Sequence, residues 1–81
     1  MSHSGLKPFS EKAKELMDGG LFEHYKKNQY KVVGVGRHTE TLEEVVIYAD
    51  EQGTTWVRPL EMFVETVRID GKVVPRFKRI G

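Results

Sequence analysis

Apolar and polar positions alternate with a period of two over much of residues 30–80, and this predicts short strands. In Tyr30 to His38 the alternation places Tyr30, Val32, Gly34, Gly36 and His38 on one face and Val33 and Val35 on the other. Apolar residues on both faces predict a strand covered on both sides for part of its length. Val45 to Ala49 is a second strand; Thr41 and Glu44 have capping-box spacing, but the β-branched run after them argues against a helix. Thr54 to Arg58 is a third strand, held extended at Arg58 by Pro59. Pro59 to Phe63 reads as one helical turn with proline at its first position. Val64 to Ile69 and Val73 to Ile80 form a fourth and a fifth strand around Asp70-Gly71, the strongest hairpin signal in the chain. Pro75 marks the fifth strand as edge or bulged.

The first 24 residues follow a different pattern and are expected to form an N-terminal extension, with residues 25–81 as a single β-rich domain. Ser10 can cap a two-turn helix in which Phe9, Ala13, Leu16 and Met17 share a stripe, and Gly19 can end it in the left-handed conformation. So short a helix needs a surface to dock on, and its own sheet is the expected one. The fold class is mainly β: a small curled antiparallel five-stranded sheet or SH3-like barrel with a short N-terminal helix.

Composition narrows the functions. The chain has 81 residues and no cysteine, which excludes disulfides, thiolate metal sites and a cysteine nucleophile. The longest apolar runs are too short to span a membrane, and no apolar leader stands at the N-terminus, so a cytoplasmic protein is expected. A net charge of +1 hides an uneven distribution: Arg58 is the lone cation among seven carboxylates in residues 38–65, and both flanks are basic. Such flanks could pair with the acidic middle. They could also form one basic stripe for single-stranded nucleic acid, if the first and fifth strands were neighbours. A near-neutral total makes nucleic acid the less favoured partner.

The candidate chemistry sits in two places. His38, Thr39, Glu40 and Thr41 lie in or beside the first hairpin turn, where a rigid sheet can present functional groups. Their plainer use is to tie the turn's own backbone. Arg58 leaves the same face as Trp56, so a cation stands beside an aromatic platform suited to a base, a nucleotide or an acidic peptide. In a domain this small Trp56 is expected in the core, with Arg58 paired to Glu40 or Glu61. No metal and no cofactor are expected: His3 and His24 have no fixed spacing to His38, and Gly34-Val35-Gly36 has neither the third glycine nor the helix of a dinucleotide loop.

Three blocks occur together: Tyr30-Lys31-Val32-Val33-Gly34-Val35 running into His38-Thr39-Glu40-Thr41-Leu42-Glu43, then Trp56-Val57-Arg58-Pro59-Leu60-Glu61-Met62-Phe63, then Asp70-Gly71-Lys72 with Pro75-Arg76-Phe77. The set resembles a family of short, mainly bacterial proteins catalogued as a domain of unknown function, number sixteen fifty-three. The chain departs from the family pattern where Lys26-Lys27-Asn28-Gln29 lacks the usual turn glycine, at Gly36, and in the short loop Asp50-Glu51-Gln52-Gly53. The resemblance carries over no activity and no catalytic residues. The leading expectation is a non-enzymatic binding module for a protein or a small anionic ligand, with His38, Thr39, Glu40, Thr41 and Arg58 sharing one concave site. The alternative is a small enzyme using His38 as acid–base and Arg58 to hold an anion.

Overall fold

The computed structural model describes residues 7–81; the first six residues of the expected extension, His3 among them, lie outside that description. Ser10 caps helix α1 (Glu11–Leu16), its Oγ accepting from the Ala13 N–H at 3.2 Å. Glu44 grips the same cap, accepting from the Ser10 N–H at 2.6 Å and from its Oγ at 2.7 Å. A carboxylate at a helix N-terminus answers both the unpaired donors and the dipole. Ala13 and Leu16 are buried, and α1 packs across the second and third strands, so the helix docks on its own sheet. Gly19 ends it with φ 84°, and a side chain there would meet the Val32 carbonyl oxygen at 2.8 Å.

Seven strands follow: β1 (Gly20–His24), β2 (Gln29–Arg37), β3 (Glu44–Ala49), β4 (Thr55–Pro59), β5 (Thr66–Ile69), β6 (Lys72–Pro75) and β7 (Phe77–Arg79), with helix α2 (Leu60–Phe63) after β4. Five of them form one antiparallel sheet in the order β4-β3-β2-β1-β7, and β5 and β6 form a separate hairpin. The mainly-β class and the five-stranded sheet agree with expectation, but its members do not. β1 was not expected as a strand, because Leu21 and Phe22 make too short an apolar signal. The expected fifth strand breaks at Arg76, whose N–H donates to the Glu65 carbonyl and whose carbonyl accepts from Tyr25, both at 3.0 Å. Pairing ends at β4 on one side and β7 on the other, so no closed barrel is found among the described residues. β1 separates β2, the expected first strand, from β7, the end of the expected fifth, so those two are not neighbours; the basic flanks meet instead through β1, where Glu23 stands opposite Lys78.

The glycine-containing strand β2 has a register shift between Val32 and Gly34. Val32 stands opposite Tyr48, Gly34 opposite Ile47 and Val35 opposite Val46, so Val33 is an extra residue with no partner. The bulge reverses the alternation. Val32, 1% exposed, and Val35 both face the core, while Val33 is 60% exposed. The two apolar faces expected of this strand are thus one core face interrupted by a bulge.

That face carries Phe22, Val32, Val46 and Tyr48, and Phe63 of α2 caps it, 1% exposed. Phe63 stacks on Phe77 with ring centroids 4.2 Å apart and meets Phe22 edge-on at 5.4 Å. Pro59, expected as the first helical residue, instead caps α2 in an extended conformation. The Asp70-Gly71 turn has φ 51° and 79°, the pair of positive values that a type I′ hairpin requires.

Candidate functional site

The first hairpin turn uses the side chains of His38 and Thr41 on itself, while those of Thr39 and Glu40 make no hydrogen bond among the described residues. His38 Nδ1 accepts from the Glu40 N–H at 3.1 Å and the Thr41 N–H at 3.3 Å, and Thr41 Oγ1 accepts from the Glu43 N–H at 3.3 Å. The His38 carbonyl accepts from Leu42, which holds φ 64°. Arg37 fastens the turn from beneath, donating to the Leu42 carbonyl at 3.0 Å and to the Lys7 carbonyl. All four candidates from His38 to Thr41 are exposed. These bonds are the turn-tying use of such residues.

Arg58 stands elsewhere. β4 pairs with β3 so that Trp56 opposes Tyr48 and Arg58 opposes Val46, which puts both side chains on the core face at the sheet's edge. Arg58 Nε donates to the Tyr48 hydroxyl at 3.1 Å, and its guanidinium lies over the Phe77 ring, 5.7 Å from the centroid. Neither Glu40 nor Glu61 pairs with it. Tyr30, Tyr48, Asp50, Trp56 and Arg58 line a cavity of about 250 Å³, and none of residues 38–41 belongs to it. The expected shared site therefore divides into a self-bonded turn and an arginine cradle.

Trp56 is not the core anchor expected. It is 50% exposed, and its Nε1 donates to Asp50 Oδ2 at 2.9 Å. Asp50 Oδ1 accepts from the Gln52 and Thr54 N–H groups, both at 2.9 Å. The indole hydrogen bond, followed by these backbone donors, holds the Asp50 carboxyl below its usual range. Asp50 is thus committed to the loop and to the indole, which it fixes at the mouth of the cavity. The core's aromatic anchors are Phe63 and Phe77, placed by contacts no local pattern encodes.

The arginines that bond within the fold differ in one respect. Arg76 meets Glu65 through NH2 at 2.7 Å, Arg37 binds two carbonyls, and Arg79 donates through NH2 to the Gly19 carbonyl at 3.1 Å. Among the described residues Arg58 spends only Nε and leaves both terminal nitrogens without a protein acceptor. Nearby His24 packs on Phe77 at 5.0 Å and on Tyr25 at 4.4 Å. Burial, then the positive charges of Arg76, Lys26 and Arg58, lower its pKa from the usual 6.5. The Arg58 cavity itself carries one charge of each sign, Arg58 and the Asp50 carboxylate held by the indole and the loop backbone. A larger cleft of about 550 Å³ between the β1–β2 turn and the β5–β6 hairpin mixes Lys27, Lys72 and Lys78 with Glu23 and Asp70, so its charges largely offset.

Among the described residues no three His, Asp or Glu side chains converge as metal ligands would, and no helix is long and apolar enough to cross a membrane. A family profile described as protein of unknown function (DUF1653) matches residues 20–79. A crystal structure of a DUF1653 protein from Bordetella bronchiseptica is similar, with 33% identity, a TM-score of 0.72, and coverage of 78% of this chain and 86% of that one. No curated protein matches the chain.

Proposed function

The chain belongs to the DUF1653 family, and within that fold we propose that it is a non-enzymatic binding module whose Tyr30–Tyr48–Trp56–Arg58 cradle receives a small anionic group. The observation that carries this reading is the Arg58 guanidinium, half-buried on Tyr48 and Phe77 with both terminal nitrogens unspent among the described residues. A planar fork of donors in that state matches a carboxylate or phosphate, and the Trp56 face beside it suits a flat or apolar body attached to the anion. The self-bonded His38 turn gives no support to an acid–base role, because Nδ1 already accepts two backbone donors.

Trp56 is the chain's one tryptophan, so its fluorescence reports on the cradle directly. Titration with phenyl phosphate and with benzoate is expected to change that fluorescence saturably, with affinity falling as salt rises. A charge-assisted hydrogen bond contributes about 1.5–3 kcal/mol, so Arg58→Gln should weaken binding roughly 10- to 150-fold. Equal binding by Arg58→Gln, or no response to either anion, overturns the reading.

A further inference from the structure

The cavity's size and its place at a strand edge bear on what carries the anion. At about 250 Å³ it is smaller than the roughly 300–1,000 Å³ of clefts that enclose a whole small-molecule ligand. It has room for a side chain.

The edge beside it is open. Asp50 N–H donates to the Thr54 carbonyl at 2.9 Å, and continuing that alternation makes Tyr48–Trp56 and Val46–Arg58 the pairs that exchange bonds with β3. The N–H and C=O groups of Thr55 and Val57 therefore turn outward, where no strand of the described residues meets them. Val57 is 63% exposed. Pro59, with no N–H, closes the far end. The opposite edge is protected differently: β7 is three residues long and carries Lys78 and Arg79. β4 has no such double charge; its one ionised side chain is Arg58.

We propose that the occupant is an extended acidic peptide that adds as an antiparallel strand to β4, its carboxylate on Arg58 and an aromatic side chain on Trp56. This rests on the cradle reading above and names the partner class for that site. Directly opposed residues share a face, so the register requires an acid facing Arg58 and an aromatic two residues later facing Trp56. Edge backbone bonds supply affinity and the cradle supplies selectivity, the division of labour in strand addition. A second copy of this chain fits less well, because β4 has no carboxylate to set against Arg58.

The test uses the whole chain and a capped heptapeptide with glutamate third, phenylalanine fifth, and valine or threonine elsewhere. Binding is read by Trp56 fluorescence and by amide shifts of Thr55 and Val57. N-methylation at peptide positions four and six, which face β4, should cost about tenfold or more, and at positions three and five, which face away, much less. Equal losses from the two methylated peptides, or response to phenyl phosphate but not to the heptapeptide, overturn strand addition and leave the cradle reading standing. No response to either probe removes both. Self-association that shifts the Thr55 and Val57 amides without peptide overturns the proposal in favour of a second copy.

Discussion

The bulge in β2 makes a sharp prediction about three consecutive-looking valines. Strict alternation makes Val33 and Val35 equivalent and sets Val32 apart; the bulge pairs Val32 with Val35 and leaves Val33 outside. Valine to threonine changes shape little but adds a hydroxyl, and burying one without a partner costs about 1–3 kcal/mol. Val32→Thr, at a site 1% exposed against Tyr48 and the Gly19 segment, should fall near the middle of that range. Val35→Thr, partly buried against the core, should cost about 1 kcal/mol. Val33→Thr, 60% exposed and unpaired, should stay within about 0.5 kcal/mol of the parent. Urea unfolding followed by far-UV circular dichroism is the assay. With a slope of about 1 kcal/mol per molar for a small domain, Val32→Thr lowers the midpoint by roughly 2 M and Val33→Thr by less than about 0.5 M. A Val33→Thr variant as destabilised as Val35→Thr would refute the reasoning, since it would mean regular alternation through Gly34.

Two further outcomes follow from local geometry and charge. Lys27 holds φ 81° in the β1–β2 turn, a conformation that costs an L-residue about 1–2 kcal/mol, so Lys27→Gly should stabilise the fold by about 0.5–1 kcal/mol after glycine's own entropy cost; a lower thermal midpoint would contradict this. Because the folded pKa of His24 lies below the unfolded one, the unfolded chain binds a proton first as pH falls, and stability should decline from about pH 6.5 downward through the folded pKa. Glu44, held low by the Ser10 backbone N–H, adds a further loss of the same sign below its ordinary range near 4.5. Urea midpoints across pH 7 to 5 should show a shallower slope in His24→Gln, and an unchanged slope counts against the assignment.

What the sequence determined by itself is what neighbouring residues settle among themselves. The Ser10 cap, the positive φ of Gly19, the Asp70-Gly71 turn and the self-bonding of His38 and Thr41 each involve atoms a few residues apart, so side-chain chemistry and backbone sterics suffice to read them. The family resemblance, carried by three ordered blocks, belongs with these. The tertiary structure decided matters of distance and neighbourhood. β1 became a central strand because two longer-range partners, β2 and β7, complete its hydrogen bonds, which two apolar residues could not announce. Trp56 lies outside the core because β4 is the sheet's edge strand and Asp50 holds the indole there, while Phe63 and Phe77, fourteen positions apart, stack in the interior. Arg58 found Tyr48, ten residues back, instead of a glutamate, because antiparallel register with β3 sets which side chains share a face and stops Arg58 from reaching the 38–41 turn. The bulge at Val33 is the clearest case: one unpaired residue exchanges the faces of everything after it, and only the partner strand's register reveals that it is there.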